Sequence, residues 1–213
     1  IHSEYSIVDS IVKIDQLSEK AQHYNYESIA ITDSANLFGF LKFYKSVRSK
    51  GIKPIAGAEI NHVRDSSSHN EHANLTLIAK NQLGYKNLIK LISKSQIVGK
   101  TSGIPVIETE WLAEHSDGLI ALSGGFRGHI GKAVLDTNHD LFLKRIKFFQ
   151  KVFKEDFILE ISRINRPQED LYNDYILSKA GELGLPVIAS NEVRFIDKED
   201  FEAHETKVCI QKG

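Results

Sequence analysis

The chain has 213 residues, enough for one large domain with its own core, and its 41% hydrophobic and 26% charged residues are typical of an ordinary globular protein. The 27 basic and 28 acidic residues leave a net charge of −1, which excludes a global basic field that would recruit nucleic acid. No run reaches the ~20 apolar residues of a membrane span. A single cysteine, Cys209, excludes an internal disulfide and predicts a reducing, cytoplasmic location, with its thiol buried on a helix.

Short apolar runs alternate with longer amphipathic stretches, which is typical of repeated strand and helix units. Most of the runs are continuously apolar, as in parallel strands covered on both faces, and this favours a closed barrel over an open sheet. The candidate strands are Ser28 to Thr32, Pro54 to Ile60, Leu75 to Ala79, Ile104 to Ile107, Leu119 to Ser123, Phe157 to Ile161 and Pro186 to Ser190. Helical spacing of apolar residues occurs within 14–21, 40–47, 88–92, 141–152 and 171–183, the last between Pro167 or Asp170 and Gly184.

Two segments interrupt this alternation and are predicted to be a surface loop and a flexible turn. They run from Arg64 to Ala73 and from Gly99 to Gly103. We interpret His62, His69 and His72 as solvated residues in or beside the first of them.

Polar residues follow several strands, where the functional residues of a parallel barrel lie. Carboxylates together with imidazole can bind a divalent metal that activates water. However, the only imidazole at a strand position is His2, in the segment that opens the chain and that we expect to be extended. The candidate set is His2, Asp9, Asp33, Ser34, Glu59, Ser123 to Gly125, Glu160, Asn191, Glu192 and Arg194.

Three of these features have structural alternatives. Asp33 could cap a helix that begins near Leu37. Glu192 and Arg194 lie two apart on an extended segment, so they face one side and could form an ion pair. The glycine-rich stretch 123–128 fits a tight turn or an anion cradle, but it lacks the ending of a phosphate-binding loop.

Several blocks, in order, resemble the polymerase and histidinol phosphatase (PHP) domains of bacterial DNA polymerase III alpha subunits. They are residues 1–6 (IHSEYS), 30–39 (AITDSANLFG), 51–59 (GIKPIAGAE), 77–81 (LIAKN), 118–124 (GLIALSG) and 185–195 (LPVIASNEVRF). The resemblance implies an α/β fold, a distorted (β/α)7 TIM-like barrel. We expect residues 1–213 to be a single PHP domain truncated at both ends, with part of the first strand and the C-terminal remainder missing.

The resemblance also implies which positions would bind metal in family members with an intact site. His2, Asp9, Asp33, Glu59 and Glu192 correspond to vestigial ligand positions. At four further positions, Ser34, Asn74, Gly125 and Arg194 replace histidine or cysteine ligands. Arg194 would bring a fixed positive charge that could bridge carboxylates in place of a metal. We therefore expect no metal, no cofactor and no catalytic residue in this segment.

By resemblance, the segment is a non-catalytic scaffold that docks the proofreading exonuclease (epsilon) subunit. The rest of the alpha chain would carry DNA-directed DNA synthesis with Mg²⁺, and other parts of it would bind DNA. The alternative is an active metal-dependent phosphoesterase, a 3′–5′ exonuclease or pyrophosphatase, using Zn²⁺ or Mn²⁺. Direct DNA binding by this domain has little support, and the basic cluster Lys42 to Lys50 is interpreted as a solvated helix face.

Overall fold

A computed structural model describes residues 1–7, 9–63, 72–101 and 103–212. The helices of the described residues are α1 (Ile14–His23), α2 (Phe40–Ser49), α3 (Gln82–Ile97), α4 (Thr109–Glu114), α5 (His129–Leu135), α6 (His139–Phe153), α7 (Glu169–Leu183) and α8 (Phe201–Lys212). The strands are β1 (Ser28–Ser34), β2 (Lys53–Val63), β3 (His72–Ala79), β4 (Lys100–Thr101), β5 (Ile104–Glu108), β6 (Leu119–Leu122), β7 (Phe157–Ile161) and β8 (Val187–Ala189). The expected α/β class is confirmed. None of the described helices is both long and apolar enough to cross a membrane.

Backbone contacts divide the chain into two compact units. Unit 1 comprises residues 1–58 and 192–213, and unit 2 comprises residues 59–191. Strand β2 contributes its first residues to unit 1 and its last residues to unit 2.

Unit 1 is built on the apolar faces of α1 and α2. In α2, Phe43 and Val47 lie one helical turn apart, and both side chains are fully buried. Strand β1 supplies Ile29 and Ile31, which alternate with more exposed residues. The buried core of the unit consists of Val12, Ile14, Leu17, Ala21, Ile29, Ile31, Phe43, Val47 and Ile52. Cys209 lies on α8 as a helix residue but is exposed, so its predicted burial is wrong.

Unit 2 contains a mixed sheet. Its strands follow the order β4-β5-β2-β3-β6-β7-β8. The pairs β2–β5, β6–β7 and β7–β8 are parallel, whereas β3–β6 and β4–β5 are antiparallel. The apolar runs predicted parallel strands only, and this prediction is wrong for the pairs β3–β6 and β4–β5. A run that is buried on both faces does not encode the direction of its neighbour.

The seven predicted strands are all present, with ends that shift by a few residues. Strand β4 was missed because it lies inside the segment 99–103 that we predicted as a flexible turn, and it pairs as a short hairpin with β5. The predicted end of α7 is also confirmed: Gly184 has a φ of 64°, and the Leu185 N–H donates to the Ala180 carbonyl at 3.0 Å.

His62 is not a loop residue. Strand β2 continues to Val63 and pairs with β5 through residues 61–63, which buries His62 completely. Its ring lies 5.1 Å from the His129 ring and stacks on Phe148 at 6.1 Å. The Nε2 of His129 donates to the His62 carbonyl at 2.9 Å. The solvated interpretation is therefore wrong for His62. It is also wrong for His72, which is half-buried in β3, and His69 lies outside the described residues.

Glu169 anchors the turn that precedes α7. Its side chain is 5% exposed and accepts hydrogen bonds from the Ser162 hydroxyl at 2.9 Å and from the N–H groups of Ile164 and Asn165 at 2.8 and 2.9 Å. Burial by itself would raise the pKa of Glu169, but the hydrogen bonds from Ser162 and the backbone outweigh it and lower the pKa below its usual value.

The variant Glu169→Gln should lower the free energy of unfolding at neutral pH by about 1–3 kcal/mol. Both carboxylate oxygens accept hydrogen bonds, so the NH₂ group of glutamine would face a hydrogen-bond donor in place of one of them. Because the pKa of Glu169 is lower in the folded than in the unfolded chain, its ionised carboxylate stabilises the fold at pH values above the unfolded pKa of about 4.3. This contribution is lost as the pH falls through the folded pKa. Urea titrations from neutral to acidic pH should therefore show the difference between wild type and variant shrinking. Asp170→Asn, an exposed neighbour on the same helix turn, is the matched control. An equal loss in both variants would contradict the anchoring role.

Candidate functional site

Asp33 is the most enclosed of the candidate carboxylates. It lies near the end of β1 and is 2% exposed. Ser3 donates to it twice, from its N–H at 2.6 Å and from its hydroxyl at 2.8 Å, and the Ser6 hydroxyl donates at 2.7 Å. The Ser34 N–H donates in turn to the Ser6 hydroxyl at 3.1 Å. Both oxygens of this carboxylate are therefore occupied by donors of the chain itself.

The helix-cap interpretation of Asp33 is wrong. Helix α2 begins at Phe40 after Gly39, beyond the predicted start near Leu37, and no side chain caps it. Asp33 instead fastens the opening segment of the chain to β1. The opening motif contained the signal for this role, because hydroxyl side chains stand at both Ser3 and Ser6.

A second polar cluster in unit 1 centres on the guanidinium of Arg194. Its NH1 lies 3.0 Å from Asp9 Oδ2, and its NH2 lies 3.8 Å from Glu192 Oε2. The side chain is 9% exposed, and burial lowers the pKa of Arg194 to about 10, so the group stays positively charged at neutral pH. The predicted pairing of Glu192 with Arg194 is thus present, and Asp9 joins it.

His2 and Ser34 border this cluster. His2 is 4% exposed, and its Nδ1 lies 3.4 Å from Asp9 Oδ1 and 3.4 Å from Ser34 Oγ. The hydroxyl of Ser10 is buried and contacts two carbonyl oxygens, that of His2 at 2.7 Å and that of Arg194 at 3.0 Å. These contacts join residues near the start of the sequence to the segment around Arg194.

Helix α8 supplies two contacts that the candidate set did not include. The Nε2 of His204 donates to the Asp9 carbonyl at 3.0 Å, and the Lys207 ammonium donates to the Ser10 carbonyl at 2.7 Å. Both side chains therefore satisfy backbone oxygens. Their spacing of three residues places them on one face of a helix, and this was the available sequence signal.

The other three motif positions lie in unit 2. Glu59 is half-buried in β2, Asn74 is half-buried in β3, and Gly125 begins a short 3₁₀ turn. Gly124 has a φ of 76°, and a Cβ at this position would lie 2.1 Å from the Asn74 carbonyl oxygen. The glycine-rich stretch is thus a tight turn against β3, which favours that interpretation over an anion cradle.

Glu160 and Tyr172 form a further polar contact in unit 2. The Ser190 hydroxyl donates to Glu160 Oε1 at 2.5 Å, and the Tyr172 hydroxyl donates to the Glu160 carbonyl at 2.8 Å. Burial raises the pKa of Tyr172 above its usual value, and the charge of Glu160 adds to the increase while a hydrogen bond with Ser123 opposes it. The phenol is therefore neutral and serves as a structural donor.

The described residues do not fit a metal centre. Among them, no group of three or more histidine, cysteine, aspartate or glutamate side chains comes together in a way that could hold an ion. The oxygens of Asp33 already accept from Ser3 and Ser6, and a guanidinium lies against Asp9 and Glu192. A cation next to Arg194 would meet electrostatic repulsion.

The chain is similar to DNA polymerase III alpha subunits over its whole length. It is 43% identical to that of Vibrio cholerae, 41% to that of Escherichia coli K12 and 37% to that of Pseudomonas aeruginosa. Each match covers 100% of this chain but only 18% of the relative, so the chain spans about a fifth of their length.

Solved structures share the fold. A predicted metal-dependent phosphoesterase from Bifidobacterium adolescentis matches with a TM-score of 0.59, and an amidohydrolase from Chromobacterium violaceum, with bound sulfate and no metal, matches with 0.58. Both are 11% identical, and each match covers 97% of this chain and 94% of the solved one, so the likeness concerns the fold alone. The PHP domain model matches residues 1–164, and the chain therefore belongs to the PHP domain family.

Proposed function

We propose that this chain is the PHP domain of a bacterial DNA polymerase III alpha subunit and acts there as a non-catalytic structural domain. The observation that carries the proposal is the Arg194 guanidinium, which lies 3.0 Å from the Asp9 carboxylate and contacts Glu192. Through this ion pair, the motif carboxylates stabilise the fold instead of binding an ion.

The parent chain supplies the chemistry in this proposal. DNA-directed DNA synthesis, with its Mg²⁺ ions and the DNA contacts of the polymerase reaction itself, belongs to regions of the alpha chain outside this segment. The segment docks the proofreading exonuclease subunit, in the cytoplasm where replication takes place. Identity of 37–43% over the whole segment to alpha subunits supports this assignment.

The alternative is a metal-dependent phosphoesterase, the activity predicted for one structural neighbour. It requires an ion at the motif positions, whereas Asp33 is enclosed by serine donors and Arg194 holds the neighbouring carboxylates. Metal analysis separates the two functions.

Elemental analysis of the purified chain, after dialysis against Zn²⁺, Mn²⁺ or Mg²⁺, should find no stoichiometric metal, because the Arg194 guanidinium already pairs with Asp9 and Glu192 and would repel a cation. The variant Arg194→His removes the fixed charge and adds an imidazole, so it should retain more Zn²⁺ than wild type. Arg163→His, at an exposed arginine in unit 2, controls for an added histidine. Stoichiometric metal in the wild type would support the phosphoesterase.

A structural role for Asp33 predicts a loss of stability in Asp33→Ala. The donors of Ser3 and Ser6 would lose their acceptor inside the fold, which should lower the free energy of unfolding by about 2 kcal/mol or more. The exposed control Asp174→Ala should stay within about 0.5 kcal/mol of wild type in the same denaturant titration. A wild-type stability for Asp33→Ala, together with loss of a measured hydrolytic activity, would assign Asp33 to catalysis.

Docking of the exonuclease is tested by co-purification. An alpha chain that carries residues 1–213 should retain the exonuclease subunit through gel filtration, and a chain without them should lose it. Primer extension by both chains reports whether the remaining regions are folded. Equal retention of the exonuclease by both chains would remove docking from the proposed role.

A further inference from the structure

The outer surface of α2 is unusually apolar for a solvent-facing helix. Its inner side is anchored by Phe43 and Val47, which are fully buried. On the outside, Phe38 just before the helix is 70% exposed, Leu41 is 64% exposed and Tyr44 is 41% exposed. Large exposed apolar groups in one place mark an interaction site more often than an ordinary surface. We call the surface formed by Phe38, Leu41, Tyr44, Lys45 and Arg48 the α2 face.

The charge of this region has one sign. From Ser34 to Ala58 the sequence contains five lysine or arginine residues and no aspartate or glutamate. Of these, Lys42 lies 3.5 Å from Glu4 and 3.4 Å from Asp15, which neutralise it. Within the described part of the chain, no carboxylate lies within salt-bridge distance of Lys45 or Arg48. The α2 face therefore presents two uncompensated cations among exposed rings.

Cation and ring are also in direct contact on the α2 face. The Arg48 guanidinium lies 5.7 Å from the centroid of the Tyr44 ring. Such a contact holds the ring and the charge together on the surface. The Tyr44 ring also lies 6.2 Å from the Phe40 ring and remains 41% exposed. Tyr44 and Arg48 are four residues apart, so they follow one line along the helix.

Two further exposed rings follow the end of α1, which lies beside the end of α2. Helices α1 and α2 lie side by side and parallel. The Ser46 hydroxyl donates to the Ser18 hydroxyl at 2.8 Å, and four residues further along in each case the Lys50 ammonium donates to Gln22 at 3.2 Å. The two rings are Tyr24, 60% exposed, and Tyr26, 52% exposed, with centroids 6.2 Å apart. Helix α2 alone spans about 15 Å, enough for two or three nucleotides of an extended strand.

We propose that the α2 face binds single-stranded DNA. Bases of an unpaired strand can stack on Phe38 and Tyr44 while Lys45 and Arg48 contact the phosphates between them. Duplex DNA would not present base faces to these rings. An acidic peptide would match the charges but would leave the planar ring faces without planar partners. The charge is local, which is compatible with the net charge of −1 for the chain. The proposal replaces the sequence-based interpretation of Lys42 to Lys50 as a solvated helix face, because that interpretation did not include the exposed rings beside the cations. This activity is separate from the scaffold role proposed above.

Photocrosslinking of the natural full-length protein that contains residues 1–213 tests the proposal. The probe is a twelve-nucleotide oligothymidylate with 5-bromouracil at alternate positions, and mass spectrometry of the crosslinked peptides locates the contacts. Crosslinks are expected at Phe38 or Tyr44. The double variant Lys45→Glu/Arg48→Glu should reduce crosslinking at those residues at least fivefold. Loss of two phosphate contacts should also lower the slope of log affinity against log salt by about 1.4.

Two further variants separate charge from stacking. Lys147→Glu/Lys151→Glu makes the same charge change on exposed positions of α6 and should leave crosslinking at Phe38 and Tyr44 unchanged. Tyr44→Leu keeps an apolar side chain and removes the ring, and it should lower the crosslinking yield at Phe38 while the cations remain. Thermal melting checks that each variant is folded.

Two results would overturn the proposal. One is an absence of crosslinks within residues 38–48, whatever other regions of the protein bind the probe. The other is hydroxyl-radical footprinting in which the α2 face is already protected without DNA, which would assign the face to a protein contact such as an acidic segment.

Discussion

A buried carboxylate must be surrounded by hydrogen-bond donors. At Asp33 this requirement determines the conformation of the segment that contains Ser3 and Ser6. Ser3 and Ser6 turn their hydroxyl groups toward it, and the opening segment takes a short 3₁₀ turn at Glu4–Ser6 to bring them there. A buried carboxylate without such partners would be too costly to keep ionised. The position that resembles a metal ligand is therefore part of the hydrogen-bonding that holds β1 to the opening segment.

Arg194 follows the same principle with the opposite charge. Its guanidinium lies between the carboxylates of Asp9 and Glu192. Side chains from α8 then satisfy the neighbouring carbonyls of Asp9 and Ser10. In unit 2, Glu169 is likewise surrounded by hydroxyl and N–H donors. Asp33, Arg194 and Glu169 are thus each matched by donors or charges of the chain itself.

The sequence predicted the elements better than their arrangement. The seven predicted strands are present because apolar, β-branched runs report burial directly. The antiparallel pair β3–β6 was missed because such runs carry no information on strand direction. His62 was misplaced because β2 is three residues longer than its apolar run, and the pairing of residues 61–63 with β5 buries a polar side chain. The exposure of Cys209 depends on which face of α8 packs, and composition does not show this.

What the sequence determined by itself was the α/β class, most strand and helix positions, the family resemblance and the residues at the motif positions. These follow from local burial patterns and from residue identity. The tertiary structure decided how the charges are matched: that Asp33 accepts from Ser3 and Ser6, that Arg194 contacts Asp9, and that the rings of the α2 face stay exposed. Such contacts join residues far apart in sequence, and their energies depend on distance and burial, which only the folded chain defines.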